Sequence, residues 1–499
     1  MAPRTEAYFE EHGESGDLGR LALRGGIVSV AVQYGNGALQ IVATIVLARL
    51  LAPEDFGLVA IVTVLMSFAP LLIDFGLGDA TAQRNKITHN QISSLFWISS
   101  GIGLTIALAV AACSPLIAWI YREPRLEAIA LYCAVPFALA GVSNQHLALL
   151  RRTMQFGKIA TIQIVSNLLG VFVAILMAIA GYGYWALVIR LIVTSLCIAI
   201  GGWRASRWRP GFPVLDDEVK SMVRFGLHVV GFSLTYSAAK AVDRLALGLF
   251  YRPDEVGYYQ NATNLYDNSL LQTLMQVHKV GSAALSKLQS NRAALRQKYE
   301  AALSALAFFV MPAAAVLSVT GDDLTVLLLG EKWRAAGVLL SIIALRGIFQ
   351  VVESSQGWLH LSIGRADRWQ YWGIVTLIVQ VVAVIAGLPF GAKGVAAATV
   401  LTSLFIAVPS ITYAGRPIGI GSAHVMRAVG PQLIGAISAA AAGWWLQMTS
   451  LTDYPTFVRI FLAGGFCICI YLVIVVGLFR LTEPIKVAGS VVHDLMRNR

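Results

Sequence analysis

The sequence predicts an all-α integral membrane protein with 14 transmembrane helices, arranged as two pseudo-symmetric six-helix lobes plus two C-terminal helices. Of the 499 residues, 57% are hydrophobic and only 13% are charged, whereas soluble domains carry roughly 25% charged residues. Apolar stretches long enough to span a bilayer recur between residues 25 and 480. A segment of the first half also recurs in the second half at an offset of 200 residues.

The predicted spans follow one another with short connections. A hydropathy window of about 20 residues gives spans 1 to 14 at 25–48, 57–78, 93–120, 126–149, 159–180, 184–203, 223–250, 256–286, 299–320, 335–362, 371–388, 394–414, 429–448 and 456–479. The longest connection runs from Arg204 to Val223, which leaves no loop large enough for a catalytic domain.

The placement of basic residues predicts the orientation. Arg224 and Arg459, close to span ends, are counted with the adjacent loops. Of the 38 Lys and Arg residues, 25 then lie in the two tails and alternate loops, eight lie in the other loops, and five lie inside spans. The positive-inside rule therefore puts both termini in the cytoplasm. Residues 1–24 form a polar tail without the basic start and early apolar core of a signal peptide, so we expect span 1 to remain in the mature protein.

An internal repeat predicts the domain organisation. Segments 24–71 and 224–271 align without gaps and share 11 identical residues over 48 positions, including Pro53 with Pro253 and Gly57 with Gly257. Proline and glycine also punctuate unrelated short loops, but the long gapless register favours duplication. The predicted parts are a cytoplasmic tail at 1–24, an N-lobe at 25–210, a C-lobe at 211–427, helices 13 and 14 at 428–480, and a cytoplasmic tail at 481–499. Parallel repeats of this kind place the substrate site between the halves.

Polar and charged residues inside the spans form stripes at helical spacing. An Arg, Lys or Asp residue at mid-bilayer costs about 2.5–3.5 kcal/mol, so such residues usually face a bundle interior or a wet cavity. Span 10 carries Arg346, Gln350, Glu353 and His360; span 1 carries Gln33, Asn36, Gln40 and Thr44; span 7 carries Lys240, Asp243 and Arg244; span 8 carries Asn261, Asn264, Asp267, Asn268, Gln272 and Lys279.

These stripes predict a hydrophilic chamber that prefers anions, because five intramembrane cations outnumber its carboxylates. The substrate-binding candidates are Arg346, Arg244, Lys240, Arg190, Lys279, Gln350, Gln40, Asn36, Asn264 and Gln272. A structural interpretation stays open for some of them: Asp243 could simply neutralise Lys240, and Arg190, Lys279 and His360 could snorkel to the membrane surface.

The sequence argues against several other classes. It has no GxxxxGK[ST] motif for ATP, no GxSxG, no metal-like histidine spacing and no basic run with interleaved aromatics for nucleic acid. We therefore expect no enzyme activity, no metal and no cofactor. A membrane-embedded polysaccharide polymerase or glycosyltransferase is the less favoured alternative. Such enzymes typically carry a large periplasmic loop or an acidic motif beside a span, whereas no predicted periplasmic loop of this chain reaches 20 residues. A scaffold would not need polar stripes inside the bilayer.

Four short motifs carry a family resemblance. The run Arg49-Leu50-Leu51-Ala52-Pro53-Glu54-Asp55-Phe56-Gly57 and the later Asp74-Phe75-Gly76-Leu77, followed by Asp243-Arg244 and the Pro253–Gly257 turn, resemble the polysaccharide transporter family of the multidrug/oligosaccharidyl-lipid/polysaccharide (MOP) exporters. The chain is most similar to the exopolysaccharide flippases of the Wzx type, such as those for colanic acid and succinoglycan.

This resemblance implies two six-helix lobes that work by alternating access. The implied cargo is an undecaprenyl-pyrophosphate-linked oligosaccharide repeat unit, flipped from the cytoplasmic to the periplasmic leaflet of the bacterial inner membrane. Other expected partners are membrane lipids, a polysaccharide polymerase and a chain-length regulator. The cations would bind pyrophosphate or acidic sugars, and Asp243, Asp267 or Glu353 would take up H⁺ or Na⁺ as the coupling ion. A cation-coupled drug exporter of the same superfamily is the alternative, disfavoured by the cationic excess.

Overall fold

A computed structural model of the chain describes residues 18–74, 78, 81, 87–214, 217–272, 274, 281, 285, 288, 291–363 and 365–482. Within these ranges every regular element is helical. The α-helices, in chain order, are α1 (Leu18–Leu50), α2 (Pro53–Leu65), α3 (Ala69–Asp74), α4 (His89–Tyr121), α5 (Arg125–Cys133), α6 (Val135–Arg152), α7 (Phe156–Ile179), α8 (Trp185–Ser206), α9 (Asp217–Phe250), α10 (Pro253–Tyr266), α11 (Arg292–Leu329), α12 (Arg334–Ser362), α13 (Ala366–Gly387), α14 (Gly391–Gly415), α15 (Ser422–Thr449) and α16 (Thr456–Leu472). Two π-helical segments, Asp267–Leu271 and Val473–Leu478, extend α10 and α16.

Helices overlap the described part of each predicted span, while the count of 14 spans stays a prediction. Within the described ranges, nine stretches are long and apolar enough to cross a membrane: His89–Tyr121, Arg125–Arg152, Phe156–Ile179, Trp185–Ser206, Arg292–Leu329, Glu331–Ser362, Asp367–Ile418, Ser422–Thr449 and Thr456–Leu478. The prediction of an all-α protein with many membrane-length helices is therefore confirmed. Span 2 differs from its prediction, because α2 gives way to a 3₁₀ turn at Met66–Phe68 before α3.

Local sequence explains where the helices begin. Pro53 and Pro253 stand at the first positions of α2 and α10, where a missing N–H costs nothing, and acidic residues fill both first turns. Before α4, the Thr88 side chain accepts a hydrogen bond from the Gln91 N–H, and the Gln91 side chain accepts one from the Thr88 N–H.

By its internal contacts the chain divides into two compact units, Met1–Gly257 and Tyr258–Arg499. This division groups α9 with the first unit, whereas the sequence repeat assigns the same segment to the second half. The predicted lobe boundaries at 210 and 427 therefore stay predictions.

The first unit has an aromatic core beneath the segment that follows α8. Trp208 is buried in a cluster with Ile92, Phe96 and Leu149, and its indole N–H donates to Nδ1 of His89 at 3.0 Å. The same segment is fixed to α4 by further hydrogen bonds, from the Gly211 N–H to Ser93 Oγ and from the Val214 N–H to Ser94 Oγ. The start of the longest predicted loop is therefore attached to the first unit.

An ion cluster lies where α2 and α5 begin. The Arg125 guanidinium contacts carboxylate oxygens of Glu54 at 2.5 Å and Glu123 at 2.8 Å. The hydrogen bond that the Arg125 side chain donates to Glu123 holds the pKa of the Glu123 carboxyl below its ordinary value. The cluster holds the first turn of α2 against α5.

The second unit is built around α11, which packs against α12, α15 and α16. Side-chain hydrogen bonds attach the last two long helices along its length. Gln432 donates to Ser304 Oγ, the Tyr471 hydroxyl donates to the Phe308 carbonyl, and the Trp444 indole N–H donates to the Ser318 carbonyl. Helices α15 and α16 therefore form an integral part of this unit.

Candidate functional site

In the first unit, a polar cluster joins α1, α7 and α8. The Arg190 guanidinium on α8 donates a 2.7 Å hydrogen bond to Oε1 of Gln40 on α1, and Nδ2 of Asn167 on α7 lies 3.5 Å from Oδ1 of Asn36. Both Asn36 and Gln40 belong to the predicted stripe of span 1. Arg190 is half-buried. Its guanidinium therefore lies against the polar stripe of span 1, where it contacts Gln40.

The charged triplet on α9 is organised along its own helix. Asp243 is buried and forms an ion pair with Arg244, whose Nε lies 3.7 Å from Oδ1. Nη2 of Arg244 donates to the Lys240 carbonyl at 2.7 Å. The Arg244 side chain retains 21% of its surface exposed.

In the second unit, α12 presents its predicted stripe to α10 and α14. Nε of Arg346 donates to Oγ of Ser403 on α14 at 3.2 Å, and the same hydroxyl donates to Oε2 of Glu353 at 3.0 Å. Ser403 therefore stands between a cation and a carboxylate that lie two turns apart on α12. The hydroxyl of buried Tyr266 on α10 donates to Oε1 of Gln350.

The amides of α10 and its extension are paired within their own stripe. Nε2 of Gln260 donates to Oδ1 of Asn264 at 2.8 Å, and Nε2 of Gln272 donates to Oδ1 of Asn268 at 2.7 Å. Asp267 begins the π-helical segment and is half-buried. Lys279, the remaining predicted cation of this stripe, lies outside the described residues.

His360 lies beyond this polar network, near the end of α12. It is fully buried, and neither ring nitrogen has a hydrogen-bond partner among the described residues. Its ring lies 5.9 Å from that of Tyr413, over which the Arg368 guanidinium stacks at 4.3 Å. His360 therefore does not snorkel to a surface.

An apolar groove of about 580 Å³ opens between α11 and α16. Its α11 wall includes Phe308, Phe309, Pro312, Ala313 and Val316, and its α16 wall includes Ile460, Ile468 and Leu472. Ser269 and Leu270, just after α10, also line the groove. The groove can bury a linear apolar chain, and it lies in the same unit as the Arg346 network.

Four residues of these networks were missed in the sequence: Ser403, Tyr266, Asn167 and Gln260. Asn167 is an isolated amide in an apolar span and could have been found by the same reasoning as the other polar residues. Ser403 and Tyr266 carry no such signal, because single hydroxyls in spans commonly bond to their own helix. The described residues contain no group of three or more His, Cys, Asp or Glu residues that could hold a metal ion.

Solved structures define the class of fold. The chain is similar to the lipid II flippase MurJ in an inward closed conformation, with a TM-score of 0.73 and 13% identity, covering 91% of this chain and 99% of MurJ. It is also similar to an inward-facing multidrug resistance transporter of the MATE family in the MOP superfamily, with a TM-score of 0.58 and 16% identity over 78% of this chain and 94% of that one. The fold is that of the MOP transporters.

The family follows from the sequence comparison. Residues 46–338 match the family described as "Polysaccharide biosynthesis protein", and because this match covers more than half of the chain, the protein belongs to that family. The resemblance drawn from the Pro53–Gly57 and Asp243-Arg244 motifs is thereby confirmed.

Curated relatives are similar over most of their length. The chain is 25% identical over 404 residues to the lipopolysaccharide biosynthesis protein WzxC of Escherichia coli, covering 80% of each chain. It is 26% identical over 329 residues to the teichuronic acid biosynthesis protein TuaB of Bacillus subtilis, covering 65% of this chain and 68% of TuaB. It is 25% identical over 366 residues to the succinoglycan biosynthesis transport protein ExoT of Rhizobium meliloti, covering 72% and 73%.

Proposed function

We propose that this protein is a flippase for a polyprenyl-pyrophosphate-linked oligosaccharide repeat unit, which it moves from the cytoplasmic to the periplasmic leaflet by alternating access. The product serves exopolysaccharide or lipopolysaccharide biosynthesis. The observation that carries this proposal is that each unit of a polysaccharide biosynthesis family member holds an arginine hydrogen-bonded to a polar side chain of a neighbouring long helix: Arg190 to Gln40 in the first unit and Arg346 to Ser403 in the second. Such groups stabilise a charged, hydroxyl-rich cargo where hydrocarbon cannot.

The pyrophosphate is the part of the cargo that most needs protein contacts. Its negative charge is costly to place in a low-dielectric interior, and a guanidinium binds phosphate oxygens through two parallel hydrogen bonds. We assign this role to Arg346 and Arg244, with Lys240, Arg190 and Lys279 contributing to the pyrophosphate or to acidic sugars. Arg346 and Arg190 would exchange their bonds to Ser403 and Gln40 for bonds to the cargo.

The amide stripes would bind sugar hydroxyls, because an amide supplies both a donor and an acceptor. The assigned residues are Asn36, Gln40, Asn264, Gln272 and Gln350. The Gln350 carbonyl oxygen accepts a hydrogen bond from Tyr266, so its NH₂ group is the part that would donate to a sugar.

The groove between α11 and α16 would receive the polyprenyl chain of the same cargo. Its apolar walls match an isoprenoid, and it lies in the same unit as Arg346. The pyrophosphate could then stay within the protein while the tail lies in the groove and the adjoining lipid.

The proposed setting is the bacterial inner membrane, with 14 spans and both termini in the cytoplasm. The surplus of basic residues in the tails and alternate loops supports this orientation. Beyond the cargo and membrane lipids, the proposed partners are a polysaccharide polymerase and a chain-length regulator, which would use the flipped repeat units.

Uptake of H⁺ or Na⁺ at Asp243, Asp267 or Glu353 would drive the cycle, with no other cofactor. Asp243 is paired with Arg244, and Glu353 accepts a hydrogen bond from Ser403, so each carboxylate is adjacent to a proposed cargo contact. Transport into proteoliposomes should therefore depend on a proton or sodium gradient. A transport rate that is independent of both gradients would contradict the assignment of these carboxylates to ion coupling.

Replacement of the two mid-span arginines tests the proposal. Arg346→Ala and Arg244→Ala, each at wild-type protein level in a strain lacking the chromosomal copy, should abolish polysaccharide export. Arg365→Ala is the matched control, because Arg365 lies in an exposed loop and pairs with Asp367. Intact export with both Arg346→Ala and Arg244→Ala would contradict the assignment.

A further inference from the structure

The two glycines that the sequence repeat aligns, Gly57 and Gly257, contact each other's turns reciprocally. A Cβ atom built on Gly57 would lie 1.6 Å from the Pro253 carbonyl oxygen, and one built on Gly257 would lie 2.0 Å from the Pro53 carbonyl oxygen. The same two Cβ positions lie 3.0 Å from the Gly257 nitrogen and 3.1 Å from the Gly57 nitrogen. Each glycine therefore meets the backbone of the other turn, and no side chain larger than hydrogen fits there.

The reciprocity has a geometric meaning. Residues 53 and 253, and residues 57 and 257, are equivalent positions of the duplicated segment. When each member of a repeat contacts the partner position of the other, a pseudo-two-fold axis passes between them. In transporters with parallel repeats that axis runs along the membrane normal through the substrate region. The crossing of α2 and α10 therefore lies on the line of the transport path.

The predicted orientation of the chain in the membrane indicates on which side the crossing lies. Both turns belong to the loops on the side opposite to the basic tails, which is the extracytoplasmic side. Bonds elsewhere hold each turn separately: Arg125 binds Glu54 beside α2, and the exposed Arg252 pairs with Asp254 at 3.5 Å beside α10. At the crossing itself, backbone atoms of Pro53 and Pro253 lie against Gly257 and Gly57.

We propose that the Gly57–Gly257 crossing is the extracytoplasmic closure of the transport path, and that it separates in each cycle to release the cargo. The position of the path rests on the proposed transport function, but the closure is tested without cargo. A glycan headgroup is far wider than a contact that excludes a single methyl group, so it cannot pass while the crossing is formed. Glycine at both positions permits the tight closed contact.

A methyl group at position 57 or 257 should favour the state in which the crossing is separated. Alanine at position 57 would need the backbones to separate by about 2 Å to reach an ordinary van der Waals distance of about 3.5 Å. The steric clash of the added methyl group raises the free energy of the closed state but not that of a separated state. The population therefore shifts toward the separated state.

A thiol reporter measures that shift. In a chain whose five native cysteines are replaced, Gln40→Cys on α1 provides one thiol on a polar intramembrane stripe. Spheroplasts are treated with a membrane-impermeant maleimide. We expect Gly57→Ala, and separately Gly257→Ala, to raise the initial labelling rate by about fivefold or more, the change that a shift of about 1 kcal/mol produces.

Two glycines serve as matched controls. Gly101 on α4 has no atom within 4 Å of its Cβ position, whereas Gly141 on α6 would place a Cβ 2.7 Å from the Ser99 carbonyl oxygen in another tight helix crossing. Gly101→Ala should leave stability and labelling unchanged. Gly141→Ala should lower stability without raising labelling. Equal labelling increases in Gly141→Ala and Gly57→Ala would overturn the proposal, as would labelling unchanged by both Gly57→Ala and Gly257→Ala.

A second measurement keeps both glycines in place, so it stands even if the alanine variants fail to fold. Ala52 and Arg252 are exposed, repeat-equivalent residues directly before the two prolines. Spin labels on Ala52→Cys and Arg252→Cys in membranes should give two distance populations, one for the closed crossing and a longer one for the separated crossing. A single narrow distance would contradict the proposal, whether or not the protein transports glycans.

Discussion

The carboxylate of Asp323 on α11 holds Arg459 at the start of α16, with 3.0 Å between Oδ1 and Nη2. Its other oxygen accepts a 2.6 Å hydrogen bond from Nε2 of Gln447 near the end of α15. Asp323 is only 2% exposed. One buried carboxylate therefore attaches the turn between the last two long helices to the central helix of the second unit.

Removal of Arg459 should destabilise this attachment. Arg459→Met would leave the Asp323 carboxylate buried without its cation, with the hydrogen bond from Gln447 still in place. Loss of one partner from a buried ion pair costs about 3–5 kcal/mol, and the partial exposure of Arg459 reduces this to about 2–3 kcal/mol. The expected result is a clear fall in the temperature of half-unfolding in detergent.

Arg334→Met is the matched control for that experiment. Arg334 also pairs with carboxylates, at 3.1 Å from Asp322 and 2.7 Å from Glu331, but 49% of its side chain is exposed. An exposed pair contributes at most about 1 kcal/mol. Equal losses of stability in Arg459→Met and Arg334→Met would show that burial of the Asp323 pair is not what stabilises this end.

Ser403→Ala should impair transport more than it impairs folding. The Ser403 hydroxyl fixes Arg346 and donates to Glu353, and a hydrogen bond to a charged group contributes about 1.5–3 kcal/mol. We expect the export rate to fall about tenfold or more at equal protein level, with recovery in Ser403→Thr, which keeps the hydroxyl.

Thr399→Val on the same helix gives the comparison. The Thr399 hydroxyl is buried but bonds to the Ala396 carbonyl of its own helix, so its loss removes no contact with Arg346 or Glu353. Export should remain near the wild-type rate in Thr399→Val. If Ser403→Ala and Thr399→Val behaved alike, the link from Arg346 through Ser403 to Glu353 would have no role in transport.

The groove between α11 and α16 predicts a third effect. Ala313 is an exposed residue of the groove wall, so Ala313→Trp would fill the groove without disturbing the core. We expect this variant to fold and reach the membrane but to export little polysaccharide. Val382→Trp on α13 is the control, because Val382 is exposed away from the groove. Normal export with Ala313→Trp would exclude the groove as the site of the polyprenyl chain.

Helix positions could be predicted from the sequence because hydropathy and the prolines at 53 and 253 determine them locally. The stripe of Arg346, Gln350 and Glu353 could also be predicted, because helical spacing puts these residues on one face. Their partners could not. Ser403 and Tyr266 come from other helices, and only tertiary packing decides which neighbour a single hydroxyl reaches.

The contact between Gly57 and Gly257 could not be predicted from the sequence. The repeat identified Gly57 and Gly257 as equivalent positions, but chain punctuation gave an adequate account of both. Only the packing of α2 against α10 reveals that each glycine faces the other's turn. A sequence repeat identifies such a pair, and structure is needed to find the contact between its members.

Lipid analysis of a deletion strain tests the central claim most directly. The gene is deleted from its native host, and the polyprenyl-linked lipids are extracted and measured by mass spectrometry. A flippase of this kind predicts accumulation of single completed repeat units on polyprenyl pyrophosphate, reversed by the wild-type gene but not by Arg346→Ala. Continued polysaccharide export without such accumulation would contradict it.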